Sequence, residues 1–173
     1  MSNAAERVFV ALGSNLGDSK AIVREAFRKL EALSKGPVSR SSLWSSTPVG
    51  CPPGSADFIN AVAELAPTEQ ETPEALLKKL QELEKDFGRR PKEVMNEARP
   101  LDLDLIAWGS EMRSGPDLTL PHPRAHLRRF VLEPLAEIAP ELILPGQEKT
   151  VRELLSGLSS GERVIRVERR FGG

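Results

Sequence analysis

The stretch that most constrains this chain runs Arg99-Pro100-Leu101-Asp102-Leu103-Asp104-Leu105-Ile106, a strict alternation of leucine and carboxylate behind a proline. Alternation of period two is the pattern of a half-buried β-strand, because successive side chains leave opposite faces of the pleat. Leu101, Leu103 and Leu105 then face a core together, and Asp102 and Asp104 share the other face with Cα atoms roughly 6.6 Å apart. A solvated strand face is the plainer reading of an isolated Asp-x-Asp. Acidic residues are poor strand formers, however, and two carboxylates this close repel each other and call for a cation between them. For a site that also handles phosphate, the hard, oxygen-preferring cation is magnesium.

The preceding segment, Gly88 to Arg99, carries Arg89, Arg90, Lys92 and Arg99 and few apolar side chains. Such a run is either a solvated loop or a polyphosphate binder, and the adjacent acid pair favours the second. The stretch from Gly88 to Leu101 is expected to be mobile in the free protein and to order only around ligands. Farther on, Pro121-His122-Pro123-Arg124-Ala125-His126-Leu127-Arg128 sets two histidines among arginines. Zinc is disfavoured there, because Pro123 interrupts a helical His122–His126 pair and no third ligand is near. Donation to phosphate oxygens suits these residues better.

Around these segments the chain alternates strands and helices. Arg7–Leu12 reads as a strand running into the turn Gly13-Ser14-Asn15, which lacks the Lys-Ser/Thr of a P-loop. Ile22, Val23, Ala26, Phe27, Leu30 and Leu33 recur at helical spacing, with Asp18 or Ser19 as the cap. Val38–Thr47 suits a strand that stops at Pro48, and Phe58–Leu65 alternates as another. Asn60, an amide among apolar strand residues, must find either structural neighbours or a ligand. Thr72-Pro73-Glu74 opens an amphipathic helix ending before Gly88. Phe130–Leu135 is a short apolar piece, and a helix near Val151–Leu158 and a strand near Arg163–Glu168 read as scaffold.

Composition narrows the function classes. With 24 basic and 25 acidic residues the net charge is −1, so no global basic field draws nucleic acid or a membrane surface. Cys51 is the only cysteine and can form neither an internal disulfide nor a zinc site, which fits a reducing cytoplasm. No apolar run approaches the roughly 20 residues of a membrane span. At 173 residues and 39% hydrophobic, one domain over 1–173 is expected, with residues 1–6 as a tail.

Taken together, Gly13-Ser14-Asn15, Thr47-Pro48, Phe58-Ile59-Asn60, Arg99-x-x-Asp102-Leu103-Asp104, and Pro121-His122 with Arg128-x-Phe130 resemble 6-hydroxymethyl-7,8-dihydropterin pyrophosphokinase of folate synthesis. The likeness runs from about Arg7 to Pro145. It implies an α+β, ferredoxin-like fold, a mostly antiparallel sheet with helices on both faces, and a monomer. It implies transfer of the β,γ-pyrophosphoryl group of ATP to the pterin hydroxymethyl oxygen, with two magnesium ions on Asp102 and Asp104. In this resemblance Arg89, Arg99 and His122 hold the ATP phosphates, Glu84 lies near the nucleotide, and Arg128 is an accessory cation. Phe58 and Phe130 sandwich the pterin, Asn60 meets its amino-oxo edge, and backbone groups near Thr47 and Pro48 complete the pocket.

The chain departs from well-known members of that family at Asn96, where they carry tryptophan, and at Pro91, where they carry arginine. Its loop after Thr47 also looks about one residue shorter. A non-catalytic nucleotide- or pterin-binding module would be expected to lack a metal ligand or a phosphate cation, and none of the matched ones is missing. Acid/base hydrolysis needs two carboxylates in unlike environments, whereas Asp102 and Asp104 look alike.

Overall fold

The computed structural model describes residues 6–47, 54, 56–88, 100–159 and 162–170. Its elements run β1 (Val8–Ser14), α1 (Ser19–Glu31), β2 (Ser39–Arg40), β3 (Leu43–Ser46), β4 (Phe58–Leu65), α2 (Pro73–Asp86) and β5 (Asp102–Trp108). The small hairpin β6 (Arg113–Ser114) and β7 (Thr119–Leu120) follows, then a 3-10 turn at Ala125–Leu127, α3 (Arg129–Ile138), α4 (Val151–Ser156) and β8 (Val164–Glu168). No helix among the described residues is long and apolar enough to cross a membrane.

The main sheet has the order β5-β1-β4-β3-β8, with β2 also paired to β4. Every pairing in it is antiparallel. Because β2 and β3 both lie along β4, they form one strand broken at Ser41-Ser42. The chain from β1 to β5 is then a βαββαβ unit of ferredoxin-like type, and β8 extends the sheet beyond β3. The break departs from the continuous strand expected over Val38–Thr47, and its cause is local. Ser41 Oγ donates to the Ser42 carbonyl at 2.8 Å and accepts from Val62 N–H at 2.8 Å, taking over ladder bonds.

Two cores lie on the two faces of the sheet. Val8, Val10 and Leu12 of β1, Ala61 and Ala63 of β4, and Leu103 and Leu105 of β5 pack with Val23, Phe27 and Leu30 of α1 and Leu76 and Leu80 of α2. Phe9, Val62 and Ile106 point the other way, onto Val131, Leu132 and Leu135 of α3 and Val151 of α4. Leu101, Leu103 and Leu105 share a core as their alternation predicts, so Asp102 and Asp104 fall on the α3 face. Both caps expected from the sequence form: Asp18 Oδ1 accepts from Ala21 N–H, and Thr72 Oγ1 from Ala75 N–H.

The apolar piece at Phe130–Leu135 is helical, extending from Arg129 to Ile138 with Pro134 inside it. A proline within a helix removes one N–H donor and disguises the helical pattern. The buried stripe Val131, Leu132 and Leu135 supplies the packing that outweighs this.

Candidate active site

On the α3 face of the sheet, the register shows which residues meet. Asp102 lies opposite Gly13, Gly13 opposite Asn60, and Asn60 opposite Trp44, forming one row across four strands. Asp104 lies opposite Ala11 in the next row of that face. Both acids are half-buried. Their cross-strand neighbours on β1, Gly13 and Ala11, are the two smallest residues. A Cβ placed on Gly13 would come within 3.7 Å of Asn60 Oδ1 and 3.8 Å of Phe58 Cδ1, which puts the glycine between the acid pair and the amide.

Asn60 is 5% exposed, and its Nδ2 donates to Ser46 Oγ at 2.7 Å. This structural partner orients the amide while using one of its several hydrogen-bonding positions. Phe58, half-buried, sits one row farther along the same face and is the register partner of Ser46. Thr47 follows β3 and is exposed, whereas Pro48 lies outside the described residues. Ser46 was missing from the residues expected of the site. Its signal was the same period-two argument, since Trp44 and Ser46 share the face of Asn60 across an antiparallel pair.

His122 reaches the site through its backbone, whose N–H donates to the Ile106 carbonyl of β5 at 2.8 Å. Its Nδ1 accepts from Arg124 N–H at 3.2 Å, so the neutral ring carries its proton on Nε2. Burial, followed by the charges of Arg128 and Arg124, lowers the His122 pKa from its usual value, and Asp102 partly opposes this. Arg128 is half-buried, with its guanidinium 5.4 Å from the Phe130 ring centre, a cation–π distance. Phe130 stands in the first turn of α3 and packs against the second core.

Glu84 on α2 is 8% exposed, and its Oε2 accepts from Leu103 N–H at 2.7 Å, which ties α2 to the strand carrying the acids. Along the outer edge of β5 runs a cleft of about 240 Å³, walled by Leu77, Leu105 and Leu118 and reached by Asp104 and His122. Arg89, Arg99, Pro91 and Asn96 lie outside the described residues.

The donor set fits a hard divalent cation. Magnesium is commonly held by one or two carboxylates, with waters and substrate phosphates filling its octahedron. Asp102 and Asp104 are two such oxygen donors on one face beside small neighbours. Among the described residues no group of three or more His, Cys, Asp or Glu side chains could hold a metal alone.

The family of 7,8-dihydro-6-hydroxymethylpterin-pyrophosphokinase (HPPK) matches residues 9–140, a span containing both acids, Asn60, His122 and Phe130. The chain belongs to this family. It is 39% identical over 141 residues to 2-amino-4-hydroxy-6-hydroxymethyldihydropteridine pyrophosphokinase of Haemophilus influenzae, covering 81% of this chain and 86% of that one. The enzyme of the same name from Pseudomonas aeruginosa is 38% identical over 141 residues, covering 81% and 85%. Among solved structures, a Plasmodium falciparum HPPK-DHPS chain superposes with a TM-score of 0.68 at 12% identity, over 90% of this chain and 46% of that one. That likeness establishes the fold, and this chain spans less than half of the Plasmodium chain. The HPPK match ends before α4 and β8, which lie beyond residue 140.

Proposed function

We propose that this member of the HPPK family transfers the β,γ-pyrophosphoryl group of ATP to the hydroxymethyl oxygen of 6-hydroxymethyl-7,8-dihydropterin, with AMP as the other product. The observation that carries this reading is the single row Asp102–Gly13–Asn60, which sets a carboxylate and an oriented amide on either side of one glycine. In the displacement, the hydroxymethyl oxygen bonds to the β-phosphorus as the bond to the α,β-bridging oxygen breaks. AMP departs with the bridging oxygen, and the hydroxyl proton passes to solvent. Two magnesium ions on Asp102 and Asp104 would supply charge cancellation on the phosphate oxygens.

The protein's own part is alignment and shielding. Neutral His122 donates from Nε2 to a phosphate oxygen, and Arg128 adds a positive charge on the same side. Arg89 and Arg99 serve as further phosphate cations. The cleft along β5, lined by leucines together with Asp104, Asp117, Thr119 and His122, suits the nucleoside. Glu84 acts on it by holding Leu103. Phe58 and Phe130 flank the flat pterin, Asn60 meets its edge, and Thr47 and Pro48 offer backbone groups.

ATP labelled separately at the α- and β-phosphorus tests this reading. The β label should appear in the pterin product and the α label in AMP. Retention of the β label in a nucleoside diphosphate would mean transfer of a single phosphoryl group and would refute it.

A further inference from the structure

Glu137, in the last turns of α3, accepts hydrogen bonds from three donors at Ser42, in the break before β3, and Trp44 of β3. Its Oε1 accepts from Ser42 N–H at 2.8 Å and from Trp44 Nε1–H at 2.8 Å, and its Oε2 from Ser42 Oγ–H at 2.7 Å. The carboxylate is 15% exposed, and Arg166 of β8 stands 3.9 Å away. Ser42 Oγ in turn accepts from Arg170 N–H at 3.1 Å. One carboxylate therefore joins α3 to β3 and is flanked by the C-terminal strand, at the place where the β2–β3 strand is broken. Charge-assisted bonds of this kind are about twice as strong as neutral ones.

Both ends of this joint belong to the pterin side of the site. Trp44 is the register partner of Asn60, and Ser46, two residues on along the same face, holds the Asn60 amide. On α3, Phe130 lies seven residues before Glu137, two helical turns away and on the same side of the helix. The strand orienting the amide and the helix bearing the proposed stacking ring are thus clamped at one point.

From this geometry we infer that Glu137 is a positioning residue for the pterin: it fixes Trp44 and β3 relative to α3, and so sets the Asn60 amide and the gap that the ring enters. The inference rests on the pterin assignment of Asn60 made above. It gives a function to the Glu137–Trp44 pair and to the strand β8 packed beside it, none of which touches a proposed substrate atom.

The test compares Glu137→Gln, Trp44→Phe and Asn60→Ala by steady-state kinetics and by 1H–15N spectra of the indole groups. Glutamine presents one acceptor oxygen to three donors. For Glu137→Gln the KM for pterin is expected to rise roughly tenfold, the loss from one well-formed hydrogen bond. The KM for ATP and kcat should stay within about twofold. With two tryptophans in the chain, only the Trp44 indole signal should move, leaving Trp108, in the opposite core, unchanged. Trp44→Phe removes one arm and should raise the pterin KM by a smaller factor; if Glu137→Gln fails to fold, this variant decides alone. An unchanged pterin KM in both variants, with Asn60→Ala still raising it, overturns the inference and leaves the pterin site standing. An Asn60→Ala enzyme with unaltered pterin KM would overturn the site assignment and the inference with it.

Discussion

Replacing either acid, by Asp102→Ala or Asp104→Ala, is expected to abolish most turnover while Tm holds or rises, because the change relieves repulsion as it removes a metal ligand. Near-wild-type rate at saturating magnesium in either variant would contradict the metal assignment. Asn60→Ala should weaken pterin binding by about 1 to 3 kcal/mol and leave ATP binding nearly unchanged, as titration calorimetry with each ligand can separate. His122 supplies a pH dependence. Its folded pKa is lowered, mainly by burial, so as pH falls through roughly 6.5 the unfolded chain takes up a proton that the folded one refuses. Stability from this group is therefore full above that pH and is lost below it. An NMR titration should give His122 a midpoint below 6.5, and one at or above 6.5 would contradict the burial argument. At this scale the sequence was informative where alternation or oddity spoke: the acid pair and the lone strand amide are both plain in it. Glu137 was not, because it acts through partners on another element more than ninety residues away, and Ser46 emerges only once β3 is paired with β4.

Among the elements, β5 is the one on which the site hangs, and it is an edge strand held on one side by β1. Glu84 secures it from α2, so Glu84→Ala should expose the lost bond twice. Leaving the Leu103 N–H without this acceptor should lower unfolding stability by about 1 to 3 kcal/mol in urea titrations, and ATP affinity should fall as the cleft wall loosens. Loss of stability with ATP affinity unchanged would restrict Glu84 to the scaffold. The helices with clean caps, at Asp18 and Thr72, were legible, since a cap and a 3.6-residue period agree. Helix α3 was not, because Pro134 interrupts its pattern and its formation rests on tertiary burial of Val131, Leu132 and Leu135. The β2–β3 break was equally hidden, since serines in a β-rich stretch give no hint that their hydroxyls will replace ladder bonds.

At the scale of the whole molecule, the βαββαβ unit gathers on one sheet face the described residues proposed for metal, phosphate and pterin, which come from β4, β5, the segment from His122 to Arg128 and the start of α3. The general architecture could be expected from the resemblance of five short motifs to one family. The clamp between α3, β3 and β8 could not, because it joins segments far apart in the chain. The reaction itself is tested most directly by measuring AMP released from ATP, with and without hydroxymethyldihydropterin and magnesium. AMP should form only when all three are present, in step with pterin diphosphate. AMP or ADP released at the same rate without the pterin, or no AMP with all three present, would contradict the assignment.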